Sequence, residues 1–332
     1  MTSLLAAVLA LAPAYLIRFH IAGFPTTLLE VLIVAFLLSV TIRFEVKDFK
    51  KIKALGPINW AIGLFVLAAV ISVLVSPEKI KALGQLKAFI IEPILVFYAI
   101  IVLIKNKNQL LPVVRTLFWA AVVISGLGVF QYYSFIHLPI RFWGNGVEVT
   151  RIVSVFEYPN ALSLYLGPLL GFFAALWLKD YPLTKTKWTS ALGLLLMAAA
   201  LMLTFSRGAW FATAIGLLFI LIQRFKFRKV ILPLLLTGLV LIVLPGVRHR
   251  LAVSVWDAST AAHLNLLRVG ANKILHSPLF GNGLYGFRTT QMQANYSGEI
   301  LNYPHNIFLN FWLELGILGL ISFAWIIFLA YK

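Results

Sequence analysis

The sequence predicts an all-α, polytopic membrane protein: a transmembrane helical bundle of about ten spans with one large external loop. Three observations predict it. Apolar runs of roughly 16–20 residues recur along the chain, the length that crosses a hydrocarbon core about 30 Å thick. Hydrophobic residues fill 61% of the 332 positions and charged residues 12%, and mean hydropathy is +0.94; soluble domains run about 25% charged. Finally, short basic loops alternate with the apolar runs, as they do when cytoplasmic loops hold the positive charge.

Taken in order, the expected spans cover about 3–18, 26–42, 58–75, 88–104, 113–131, 160–178, 188–204, 209–223, 230–246 and 306–330. The first run lacks a basic leader and an A-x-A-like cleavage site, so it reads as a retained helix and not a signal peptide. The loops 43–53, 105–115, 179–187 and 224–229 are strongly basic. Counting spans puts all four on one side with both termini, and that side is then cytoplasmic. The net charge of +17 thus reads as membrane orientation and not as nucleic-acid binding.

The opposite side carries three segments. Residues 76–87 are short and amphipathic, with Lys79, Lys81 and Lys87 among Ile80, Leu83 and Leu86. Residues 132–159 hold Arg141 and Arg151, with Asn160 at the next helix start. Residues 247–304 form the large loop. Within it, Leu264, Leu267, Ala271, Ile274 and Leu275 recur at helical spacing and predict an amphipathic helix over 260–276. Pro278, Gly281, Gly283 and Gly286 then end it. No internal repeat appears, so residues 1–332 read as one integral membrane domain. The chain has no cysteine, which excludes disulfides, thiolate catalysis and cysteine-ligated metals.

Arg207 stands out. It sits in Thr204-Phe205-Ser206-Arg207-Gly208-Ala209-Trp210, between two apolar runs with no loop of any length. A charge at membrane depth costs about 2.5–3.5 kcal/mol on insertion scales and is kept where it has a partner or a task. Three other features fall on the same side: Arg268 on the loop helix, His305 in Tyr303-Pro304-His305-Asn306, and the turn Pro278-Leu279-Phe280-Gly281-Asn282-Gly283. His305 and Gly316 are eleven residues apart, within about 20° of three full turns, so an unbroken helix would put them on one face. On the same assumption Glu314 points away. Plainer readings stand beside each. Arg207 also suits a surface turn bound to lipid phosphate, Arg268 a solvated helix face, and His305 a helix start at headgroup level. The glycine turn fits no complete nucleotide motif. Glu92 and Glu314 lie within spans, as proton-relay candidates or structural pairs.

Together these residues resemble a known family. The segment Ser206-Arg207-Gly208-Ala209-Trp210 resembles the "SRGAW" signature of the bacterial O-antigen ligase and polymerase superfamily. Pro304-His305-Asn306 followed by Glu314-Leu315-Gly316 resembles its histidine, ten residues, glycine motif. Arg268 with the glycine turn and Phe287, the stretch 82–89 with Glu92-Pro93, and Tyr158-Pro159-Asn160 also resemble family elements. Two departures are visible: Phe211 stands where the family has an aliphatic residue, and members commonly carry about twelve spans.

The resemblance implies a GT-C-like membrane glycosyltransferase in the bacterial inner membrane, with its site on the periplasmic or extracellular side. It implies a glycan donor on a polyprenyl (undecaprenyl) diphosphate and a lipid or glycan acceptor, with membrane lipids around it and no nucleic acid. It implies no cofactor and no metal; the sequence has no D-x-D and no carboxylate cluster in the external loop. His305 is the expected catalytic base, Arg207 and Arg268 the expected diphosphate ligands, and Asn160, Gly281, Gly283, Asn306 and Gly316 the expected supporting residues. The chemistry is self-consistent. A diphosphate leaving group gathers charge that arginine forks can hold, and a neutral histidine can take the acceptor's proton. Two other classes compete: a transporter or flippase of lipid-linked glycans, and a non-catalytic subunit of a polysaccharide machine.

Overall fold

A computed structural model describes residues 1–134, 150–225, 258–293 and 303–332. The expected span at 230–246, Arg141 and the flanks of the large loop lie outside these residues. In chain order the helices are α1 (Thr2–Ala10), α2 (Leu28–Thr41), α3 (Val46–Ala54), α4 (Pro57–Val75), α5 (Lys79–Leu86) and α6 (Glu92–Leu103). They continue as α7 (Lys107–Ser134), α8 (Pro159–Leu178), α9 (Lys187–Leu203), α10 (Arg207–Arg224), α11 (Ala258–His276), α12 (Phe287–Gln293) and α13 (Ile307–Tyr331). Two strands, β1 (Arg18–Ile21) and β2 (Phe24–Thr27), form a hairpin between α1 and α2.

Five stretches are long and apolar enough to cross a membrane: α4, the run Lys79–Leu103, α7, α8 and α13. Helices α2 and α9 are apolar but shorter. The protein is a helical, multi-pass membrane protein.

The chain folds as two compact units. The first comprises 1–32 and 106–254. Here α7 packs on α1 and α9, and α8 packs on α9 and α10. Phe118, Ile152, Leu162, Leu166, Phe173 and Met197 form its buried core. The first expected span differs from the structure. Helix α1 stops at Ala10, a 3₁₀ turn over Ala12–Leu16 follows, and β1 starts at Arg18. Pro13 lies at the start of that turn and contributes no backbone N–H to continue a helix. Nine helical residues rise only about 14 Å. Ala22 and Gly23, both at positive φ, make the two-residue turn that suits a right-twisted hairpin.

The second unit comprises 33–105 and 255–332. The basic loop 43–53 folds as amphipathic α3, opened by a capping box between Glu45 and Asp48. Lys51 donates to Asp48 Oδ1 at 2.8 Å and to the Val102 carbonyl at 2.9 Å. Lys79–Leu103 is one helical run with a π turn at Lys87–Ile91, so the lysines expected in a separate 76–87 segment sit on the first turns of that run. The loop helix predicted over 260–276 is α11. Its Leu266, Gly270 and Ile274 face α13, where Leu309 and Leu313 meet them.

The last element departs most from expectation. Helix α13 breaks at Gly316, whose φ of 69° and ψ of −173° are not helical. Phe308 and Phe311 lie 6.1 and 4.3 Å from Phe323, centroid to centroid. Residues 311 and 323 would be about 18 Å apart along a straight helix. The chain therefore folds back at Gly316: one short helix leads from Ile307 into the break and an apolar helix leaves it.

Candidate functional site

The first constellation is the turn before Arg207. Helix α9 ends at Thr204, and Phe205 takes φ +48° so that α10 can begin at Arg207 directly after the Ser206 N-cap. Thr204 is fully buried, and Trp210 Nε1 donates to the Leu201 carbonyl at 3.0 Å. Arg151 fixes the turn from outside. Its Nε donates to the Thr204 carbonyl at 2.8 Å and its Nη2 to Asn160 Oδ1 at 3.0 Å. Asn160, expected as a supporting residue, thus joins the start of α8 to the arginine turn. The half-buried Arg207 stands at the positive end of α10, where the first-turn N–H groups favour an anion. Sequence reasoning placed Arg151 on this side without a role; its bridge spans 53 residues and leaves no local signal.

The second constellation is the glycine turn. It serves as a clasp on the broken helix and not as a phosphate cradle. The break exposes backbone groups that need partners. Asn282 N donates to the Leu313 carbonyl at 2.6 Å, and Ile317 N donates to the Leu279 carbonyl at 3.2 Å. Ser72 Oγ donates to the Glu314 carbonyl at 2.6 Å and accepts from Leu284 N at 2.7 Å. A Cβ on Gly281 would lie 2.2 Å from the Leu313 carbonyl oxygen, and one on Gly283 would lie 2.4 Å from Ser76 Cα. Both glycines are required by close backbone approach.

The third constellation surrounds His305. Its backbone is left-handed, with φ +56°, and the residue is exposed. Its ring lies 4.9 Å from His263 and 5.0 Å from Tyr303. His263, absent from the sequence reading, is on the face of α11 that packs on α13. Arg268, two residues from Leu266 and so about 200° round the helix, is exposed on the opposite face. The histidine and Arg268 thus share α11 as a neighbour but not a helix face. Two expectations are corrected here. Gly316 is not below His305 on one helix face, because the helix starts at Ile307 and breaks at Gly316. Asn306 does not turn its oxygen to the imidazole; that oxygen caps α13 by accepting from Leu309 N at 3.0 Å.

The fourth is a buried carboxylate. Glu314 accepts from Gln85 Nε2 at 3.1 Å, Asn310 Nδ2 at 3.1 Å and the Tyr285 backbone N–H at 3.2 Å. The expectation that it points away from everything useful fails because it rests on an unbroken helix. Gln85 comes from α5 and Tyr285 from the end of the glycine turn, both far off in sequence. Glu92 is also buried.

Fold and residues together define a multi-pass helical membrane protein that gathers arginines and a histidine at helix ends. Residues 192–324 match the family model described as O-antigen ligase. Over that region the chain is a member of the O-antigen ligase and polymerase superfamily, and the matched range holds Arg207, Arg268, His305, Glu314 and Gly316. No curated protein and no solved structure matches the chain. The family points to ligase- or polymerase-type, glycosyltransferase-like activity on a lipid-linked glycan.

Proposed function

We propose that the protein transfers a glycan from a polyprenyl diphosphate to a lipid or glycan acceptor, without a metal, on the outer face of the bacterial inner membrane. The observation that carries this reading is the family match, which contains both arginines and the histidine. The full reading includes ten spans and a GT-C-like arrangement.

In the proposed reaction Arg207 and Arg268 bind the diphosphate oxygens. The bond from the anomeric carbon to the diphosphate oxygen breaks, and the diphosphate leaves with the electron pair. The acceptor hydroxyl oxygen bonds to that carbon, and an imidazole nitrogen of His305 takes its proton. Donors fixed at developing charge contribute about 2.7–4 kcal/mol each, and a positioned base contributes about 10²–10⁴-fold. Arg151, by holding the Thr204 carbonyl, keeps Arg207 at the head of α10.

Proteoliposomes test this against the transport reading. Wild-type protein with a polyprenyl-diphosphate-linked glycan should release polyprenyl diphosphate and extend an acceptor. Movement of the intact donor between leaflets with no bond cleavage would replace the proposal with a flippase.

A further inference from the structure

The second unit holds a cleft of about 820 Å³, within the 300–1,000 Å³ typical of ligand sites. One wall is a stripe down a single helical run: Lys81, Gln85, Phe89, Pro93 and Phe97, four residues apart. That spacing keeps the five on one face, and the stripe runs about 24 Å. The cleft is polar at one end only. Lys81, Gln85, Tyr285, Asn310 and Glu314 gather there, with the Lys81 ammonium 5.3 Å from the centre of the Tyr285 ring and 3.3 Å from Glu78. Below Gln85 the walls are Phe89, Phe97, Ile62, Phe65, Phe323 and Ile326. This apolar part runs about 18 Å, enough for a hydrocarbon chain crossing one leaflet of about 15 Å.

The polar end is rich in acceptors that lack donors. Gln85 and Asn310 each turn their amide nitrogen to the Glu314 carboxylate, and this leaves Gln85 Oε1 and Asn310 Oδ1 buried with no hydrogen-bond partner. Turning either amide over would set its oxygen against the carboxylate. Such oxygens cost about 1–3 kcal/mol each when unsatisfied, so the site calls for donors. Hydroxyl groups are donors; a diphosphate is not, and the carboxylate would repel it. A face shaped only to receive another helix would carry no orphaned acceptors.

We propose that this cleft is the acceptor site, and that the acceptor is a glycolipid. Sugar hydroxyls donate to Gln85 Oε1, Asn310 Oδ1 and Glu314, and a hydrocarbon chain lies along the wall from Phe89 to Phe97. Tyr303 lines the cleft and touches the His305 ring, which links the cleft to the proposed base. This assignment rests on the transfer reading above and adds to it the chemistry of the acceptor.

The test uses the whole protein in nanodiscs and two photolabels with a diazirine at the chain end: an alkyl disaccharide and a sugar-free alkyl phosphate. The disaccharide should label residues near Phe97 and Ile326. Ile326→Trp should lower that labelling at least tenfold. Asn310→Leu should weaken the disaccharide label about tenfold and leave the alkyl phosphate unchanged. Ala330→Trp, on the cleft's far rim, should disfavour a longer chain over a shorter one without risk to folding. Equal labelling by both probes, unmoved by Asn310→Leu, would make the cleft an unspecific lipid groove and overturn the proposal. So would loss of polyprenyl diphosphate binding in Ile326→Trp, which would give the cleft to the donor. If the disaccharide labels the cleft as expected but the protein cleaves no lipid-linked glycan, the site stands and the transfer reading falls.

Discussion

Replacing Gly316 with alanine tests the folded-back helix most sharply. At φ 69° and ψ −173° the backbone is in a region that is essentially glycine's, and a side chain there costs about 1–3 kcal/mol. The new Cβ would also lie 2.0 Å from the Leu279 carbonyl oxygen and 2.8 Å from its carbon. The turn must then retreat, and two backbone bonds weaken: Ile317 N to the Leu279 carbonyl and Asn282 N to the Leu313 carbonyl. Each is worth about 0.5–1.5 kcal/mol net. The total is roughly 2–6 kcal/mol, borne by the clasp between the glycine turn and the break. Gly171→Ala is the matched control. Gly171 lies inside α8, and a Cβ added there would meet nothing within 4 Å, so alanine should be neutral or stabilising by up to about 1 kcal/mol. Thermal unfolding in detergent, read by tryptophan fluorescence, should show a large fall for Gly316→Ala and none for Gly171→Ala. Equal melting of both variants would refute the break.

The remaining predictions concern orientation and the arginines. Single cysteines, clean here because the chain has none, should react with an impermeant reagent from outside when placed in 258–276. Those placed in 43–53 or 179–187 should react only after the cytoplasmic face is opened, and the reverse pattern would invert the topology. Arg207→Lys keeps the charge but loses the bidentate fork, so transfer should fall by a large factor; wild-type rates in both Arg207→Lys and Arg268→Ala would remove the diphosphate role. Arg151→Ala should lower turnover by loosening the Thr204 turn, and Arg151→Lys should rescue it only in part, since one ammonium cannot match both bonds; full activity in Arg151→Ala would end that positioning role.

Much of the fold was legible because it is local. Apolar run length sets the spans, and the helical spacing of Leu264, Leu267, Ala271 and Ile274 foretold α11 closely, from near its start to its end at His276. The glycine cluster marked a real turn. What sequence could not show was that this turn closes on Gly316, because the contact joins Leu279 and Gly281 to a helix far along the chain. Assuming a continuous helix then misplaced three residues at once: Gly316, Glu314 and Asn306. The hairpin at 18–27 was hidden inside an apolar run, although Ala22-Gly23 between two extended segments was a usable signal. Arg151, His263 and Gln85 act through partners far off in sequence, so their roles needed the fold.

The central claim is that His305 takes the acceptor's proton while the arginines hold the donor. One measurement addresses it: donor binding and single-turnover transfer, side by side, for wild type and His305→Ala from mildly acidic to mildly alkaline pH. The base works only as neutral imidazole, whose ordinary pKa is about 6.5. Wild-type transfer should therefore hold at high pH and fall as acid protonates the ring. His305→Ala should bind the donor as wild type does, lose transfer by at least about 10²-fold, and lose the pH dependence in this range. A variant that binds donor poorly, yet turns over its bound fraction at the wild-type rate with the same pH profile, would contradict the account.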